Sequence, residues 1–177
     1  MNISWKQAKP GDVVVFRRNG ALSAVLSFLL GLTDSEWRHR KWQGWHVGVV
    51  IKPFWETEKI QIFEAEGKGT KCTDYPFKSF RADDVHVYRW LDDEPSIAAL
   101  LNVVKERNNW KYDYNNCFST AFFYLWWKLT GKEHRVFDRE LMCWETLDSV
   151  MRLLGKPIFD MYEVIMINRI MKRLERE

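Results

Sequence analysis

Trp45-His46-Val47-Gly48-Val49-Val50-Ile51 and Ile60-Gln61-Ile62-Phe63-Glu64-Ala65 are the stretches whose reading decides the fold. Both are rich in Val, Ile and Phe, residue types that suit a pleated, half-buried surface. The segment between them, Pro53-Phe54-Trp55-Glu56-Thr57-Glu58-Lys59, reads as a turn, so the two runs are expected to pair as antiparallel strands. Side chains alternate along a strand, which puts Ile60, Ile62 and Glu64 on one face. Glu66 has the same parity, but Gly67 follows at once and is expected to end the strand, so Glu64 is the better-placed carboxylate.

Working outward, Lys9-Pro10-Gly11-Asp12 is a turn signal, and Val13-Val14-Val15-Phe16 reads as a buried strand closed by Asn19-Gly20. Ala21 to Leu32 has helical length, and Thr33 to Trp45 is a polar, Trp- and Arg-rich loop. Val85 to Trp90 alternates like a further strand. Asp93-Glu94-Pro95-Ser96 caps a helix over Ile97 to Arg107, with basic residues near its end. After a loop at Asn108 to Asp113, Phe118 to Leu129 forms an aromatic-rich helix stopped by Thr130-Gly131. A helix opening at Cys143 ends at Gly155, with Pro157 beyond it. Asp160 caps a last amphipathic helix, about residues 160–177, with Met161, Val164, Ile165, Ile167, Ile170, Met171 and Leu174 on one face. Strands in the first half and helices in the second imply an α+β fold, a small antiparallel sheet or barrel packed against helices, in a single domain over 1–177.

The 177 residues suffice for a sizeable core without staples. A net charge of +3, with Lys and Arg scattered, argues against nucleic acid as a partner. Ten tryptophans and an aromatic fraction of 15% suggest a site or surface built from large flat side chains. Three cysteines without a paired Cys-x-x-Cys motif support neither a disulfide framework nor a zinc site, and fit a reducing compartment. Lys6, Lys9 and Pro10 interrupt any signal peptide, so a cytoplasmic location is expected. No stretch reaches the ~18–20 apolar residues of a membrane span, although Ala21 to Leu32 and Phe118 to Leu129 could make peripheral membrane contact.

Three residues carry chemistry: a thiol at a helix start (Cys143), an imidazole at a strand start (His46) and a carboxylate on the next strand (Glu64). A thiol becomes a nucleophile when a helix N-terminus and a nearby imidazolium favour its anion. A carboxylate on the far imidazole nitrogen fixes the tautomer and stabilises the charged ring. A lone Cys in an apolar helix is more often a small core residue; the order of motifs is what singles out Cys143. His39, His86 and His134 read as structural and lack ligand spacing, so no metal or cofactor is expected.

That order resembles the circularly permuted papain-fold cysteine hydrolases of the NlpC superfamily, especially the YiiX-like proteins of bacteria and phages. The matching residues are Pro10-Gly11-Asp12-Val13-Val14-Val15-Phe16, Trp45-His46-Val47-Gly48-Val49, Glu64-Ala65-Glu66-Gly67-Lys68-Gly69, the pair Tyr112-Asp113, and the helix start at Cys143, together covering roughly residues 9–157. The resemblance implies a permuted papain-like, NlpC-like fold with Cys143 as nucleophile, His46 as base and Glu64 orienting His46. Tyr112, Asp113 and Trp144 would be substrate-contact or accessory positions. Trp144 departs from the Ser usual in relatives and narrows the site. Cys117 is the alternative nucleophile: Asn115-Asn116-Cys117 is similar to the helix start of the lecithin:retinol acyltransferase group, with Phe118 and Ser119 replacing its Glu-His.

The function implied is a cysteine hydrolase cleaving an amide, ester or thioester bond through an acyl-enzyme, on a peptide, peptidoglycan or lipid-like substrate, in the host cytoplasm if phage-encoded. The contrasting expectation is a catalytically inactive binding or structural module on the same scaffold, since fold does not guarantee activity.

Overall fold

The alternating valines and isoleucines of the first half assemble into one sheet in the computed structural model, which describes residues 2–17, 28, 30–32, 34–39, 43–66, 68–79, 84–111, 126–131, 143–159 and 167–176. Its strands are β1 (Asn2–Ile3), β2 (Val13–Phe16), β3 (His46–Phe54), β4 (Lys59–Glu66), β5 (Gly69–Pro76) and β6 (Val85–Tyr88). All pairings are antiparallel, in the order β1-β6-β2-β3-β4-β5. β1 and β5 lie at opposite ends of that order, so the described strands form an open sheet and not a barrel. The class is α+β.

Among the described residues, α1 (Ser35–His39), α2 (Ile97–Arg107), α3 (Cys143–Leu153) and α4 (Ile167–Arg176) are helical. Ser96 caps α2 by accepting the Ala99 N–H at 3.2 Å. α3 runs out at Gly155, whose φ of 88° suits a residue without a Cβ. One sheet face, with Val13, Val15, Val47, Val49, Phe63 and Ala65, is packed with Leu100, Leu147, Val150, Met151, Ile170 and Leu174 from the helices. The other face buries Val14, Phe16, Val50, Ile60, Ile62, Val85 and Val87. Burying such side chains contributes roughly 1.5–3 kcal/mol each.

Two local expectations are corrected. The loop from Thr33 to Trp45 contains α1, because Asp34 Oδ1 accepts the Trp37 N–H at 3.1 Å and so supplies an N-cap. The turn expected from Pro53 is shorter: β3 continues to Phe54 past an irregularity between Val50 and Lys52, and Glu58 turns the chain in a left-handed conformation at φ 51°. The glycine-rich stretch ends the second strand as expected, at Glu66, and β5, a strand not expected from the sequence, follows directly and pairs along the whole of β4.

α4 is tied to the rest by more than its apolar face. Asn168 Nδ2 donates to Asp34 Oδ2 at 2.9 Å, and Lys172 reaches Asp34 and Glu36 at 3.0 and 2.8 Å. Asp148, buried in α3, accepts the backbone N–H groups of Ile158 and Phe159 at 3.1 and 3.0 Å and anchors the chain beyond α3. Of the two segments singled out for peripheral contact, Leu30 is buried, whereas Phe28, Leu32, Trp126 and Leu129 are exposed. Residues 18–27, 112–125 and 160–166, which include Tyr112, Asp113 and Cys117, lie outside the described residues. No helix among the described residues is long and apolar enough to cross a membrane.

Candidate active site

His46 opens β3 and pairs in register with Phe16 of β2, whose ring lies 5.5 Å from the imidazole. Glu64 stands on β4 directly across from Gly48, two residues along from His46 on the same strand face. This register aims the carboxylate diagonally at the ring, and His46 Nε2 meets Glu64 Oε2 at 2.5 Å. The other oxygen, Oε1, accepts the Tyr75 hydroxyl from β5 at 2.8 Å. Glu64 is fully buried, a costly place for a carboxylate unless its oxygens are paired as these are.

Gly48 lets the ladder pack tightly beside this contact. A Cβ there would come within 2.4 Å of Ile62 Cγ2 and 3.3 Å of Glu64 Cβ. A glycine inside a strand commonly marks such a close approach.

Cys143 arrives from the opposite half of the chain as the first residue of α3, which packs against β3 and β4. It is 2% exposed, and its sulfur is close enough to His46 to help raise the imidazole. Burial by itself would push His46 down. The hydrogen bonds and negative charge of Cys143 and Glu64 outweigh it and raise the imidazole to about 9. Burial likewise works to raise Glu64, but the hydrogen bond and charge of His46, followed by Thr73 and Tyr75, hold the carboxyl below its ordinary value. The arrangement favours a charged imidazole between a carboxylate and a sulfur, which is what proton transfer to and from a thiol requires.

The neighbours sharpen the picture. Trp144 is buried at 3% exposure, and its indole N–H meets no acceptor among the described residues. Glu66, at the end of β4, brings a carboxylate oxygen within 4.8 Å of the donor atoms of His46 and Glu64, and Lys71 pairs with it at 2.9 Å. Cys72 on β5 is half-buried. Burial, with the charges of Asp74 and Glu64, pushes that thiol up to about 11, which makes it a poor nucleophile.

The structure thus brings Cys143, His46 and Glu64 together and sets Trp144 beside Cys143 in the core. Tyr75, Phe16 and Gly48 were not singled out from the sequence as site residues. Alternation through Gly69–Pro76 would have put Lys71, Thr73 and Tyr75 on the face of Glu64, had that polar stretch been read as a strand.

No family model and no curated protein matches this chain. Among solved structures, it is similar to the metalloprotein yiiX from Escherichia coli O157:H7, with a TM-score of 0.51 and 18% identity over 87% of this chain and 71% of that one. At that identity the likeness speaks for the fold alone.

Proposed function

We propose that the protein is a cysteine hydrolase of the permuted papain-like, NlpC-like kind, acting on an amide, ester or thioester carbonyl. The observation that carries this reading is the buried His46–Glu64 contact of 2.5 Å, with Cys143 of α3 close enough to the same ring to help raise it. His46 takes the Cys143 proton, and the sulfur attacks the carbonyl carbon to give a tetrahedral intermediate. As this collapses, the bond to the leaving group breaks and His46 returns the proton to that group, leaving an acyl-enzyme. Water, deprotonated by His46, then attacks the thioester, releases the acid and regenerates the thiol. Glu64 holds the ring and stabilises its charge without taking the proton itself. The backbone N–H of Cys143 is the natural oxyanion donor.

The similar Escherichia coli structure is described as a metalloprotein, and His46, Glu64 and Glu66 are the described residues able to hold an ion here. They fit one poorly. Ligands of a tetrahedral zinc, each ~2.0–2.2 Å from it, stand about 3.3 Å apart. His46 Nε2 and Glu64 Oε2 stand at 2.5 Å, and Lys71 already neutralises Glu66. The pair is built to share a proton, so no step is routed through a metal.

The test is to offer muropeptides, acyl esters, thioesters and phospholipids with a chelator present, and to search the protein by mass spectrometry. A substrate-derived acyl group on Cys143, absent in His46→Ala, is the expected result. Turnover that requires added metal and leaves Cys143 unmodified would favour the metal reading, and no turnover or adduct on any substrate would favour a binding module.

A further inference from the structure

We infer that Tyr75 is a positioning residue of this site: its hydroxyl holds the Glu64 carboxylate in the rotation and charge state that orient His46 toward Cys143. This rests on the hydrolase reading above and adds a fourth member to it. Tyr75 comes from β5, separate from the strands bearing His46 and Phe16.

The geometry divides the labour at Glu64. Oε2 is committed to His46 at 2.5 Å and Oε1 to the Tyr75 hydroxyl at 2.8 Å. A carboxylate rotates about its last bond unless both oxygens are held, and with Oε1 free Oε2 would lose its fixed aim at Nε2. Tyr75 is itself held, its ring 5.6 Å from that of Phe16, which in turn lies 5.5 Å from His46. Phe16 therefore walls both partners of Glu64 on one side.

The other groups described near Glu64 leave the Oε1 contact to Tyr75. His46 comes from β3, with Cys143 of α3 behind it. From β5, Lys71 is cross-strand to Glu64 but pairs with Glu66, and Cys72 stays protonated in the neutral range. Glu66, on the same strand, adds only negative charge nearby. Thr73, on the same face of β5, also favours an ionised Glu64, but the Tyr75 hydroxyl is the group that meets Oε1, at 2.8 Å. Losing it makes the buried anion costlier, so that Glu64 stays protonated to higher pH.

Tyr75→Phe keeps the ring and removes one hydroxyl. Two readouts separate positioning from mere packing. The first is the His46 Nε2 proton in ¹H–¹⁵N spectra, expected far downfield and sharp in the wild type, and broadened and shifted upfield in Tyr75→Phe. The second is the pH profile of Cys143 alkylation. Its acid limb should move to higher pH, with the rate near pH 6 lower by about tenfold, the scale of a hydrogen bond to a charged group. Incorporating 3,5-difluorotyrosine at position 75, a stronger donor of nearly the same shape, should move the acid limb the opposite way, and it serves if Tyr75→Phe does not fold. Profiles and spectra that superimpose on the wild type would overturn the role of Tyr75 while leaving an activated Cys143 standing. An inert Cys143 in the wild type would defeat the hydrolase reading instead, and the His46 spectrum would then decide for or against Tyr75 by itself.

Discussion

Gly48 stands directly opposite Glu64 across the β3–β4 ladder, and the Cβ that Gly48 lacks leaves room for Ile62 Cγ2 and the Phe63 carbonyl, so the two strands close tightly beside the Glu64–His46 contact. A residue that takes no part in the chemistry therefore sets the packing beside the site's central contact. In Gly48→Ala the new Cβ would sit 2.4 Å from Ile62 Cγ2 and 3.0 Å from the Phe63 carbonyl oxygen, so the ladder must shift. A loss of about 1–3 kcal/mol in urea unfolding is expected, typical of overpacking. The His46–Glu64 proton signal should be lost with it. An unchanged midpoint and spectrum would show that the close approach is not needed.

Cys143→Ala and Glu64→Gln should separate nucleophile from orienting group. The first is expected to abolish turnover while costing about 1 kcal/mol of stability or less, since only one small buried atom is removed. Glu64→Gln should keep measurable turnover, because an orienting group usually matters less than the nucleophile. Burst and steady-state kinetics on whichever substrate the adduct screen identifies check the order. Equal activity in wild type and both variants would remove all three residues from the mechanism.

Stability should depend on pH in a direction fixed by the two buried partners. His46 is raised from 6.5 to about 9, so its contribution is fully present below 6.5 and is lost as pH rises through about 9. Glu64 is held below 4.5, so its contribution is present above 4.5 and fades as pH falls through the lower folded value. Denaturation midpoints should thus be highest between these limits and decline toward pH 9 by on the order of a few kcal/mol. His46→Gln should flatten the alkaline decline, and an unaltered slope in that variant would assign it to other groups.

Removing α4 tests whether its docked face supports the core. Ile170, Met171 and Leu174 are buried, and Asn168 and Lys172 bind Asp34. Truncation after Phe159 should expose apolar surface and leave Asp34 without these partners, giving aggregation or a clear fall in melting temperature. A truncated chain that stays equally stable but loses liposome binding would make the helix an interaction element instead.

Much of this was legible in the sequence, and the rest was hidden for identifiable reasons. The apolar runs around His46 and Glu64 marked two paired strands because their side chains name both face and partner. Ser96 and Gly155 marked helix ends because capping chemistry is local. β5 was missed because Thr70, Lys71, Thr73 and Asp74 carry little apolar signal, and its strand character comes from pairing with β4. Missing β5 meant missing Tyr75. Gly48 read as part of a motif, but its reason depends on the position of Ile62 across the ladder, which no local pattern reveals. Helix α1 hid in a polar loop because its stability comes from the Asp34 cap and the burial of Trp37 in the core.

The most direct test of the central claim is the rate of Cys143 alkylation by iodoacetamide at pH 6.5, followed by peptide mass spectrometry in wild type and His46→Ala with a chelator present. Cys72 serves as the internal reference, since its thiol is pushed up to about 11. An activated nucleophile predicts that Cys143 is modified much faster than Cys72 in the wild type and falls toward its rate in His46→Ala. Equal, slow modification of both thiols in wild type and variant alike would contradict the account.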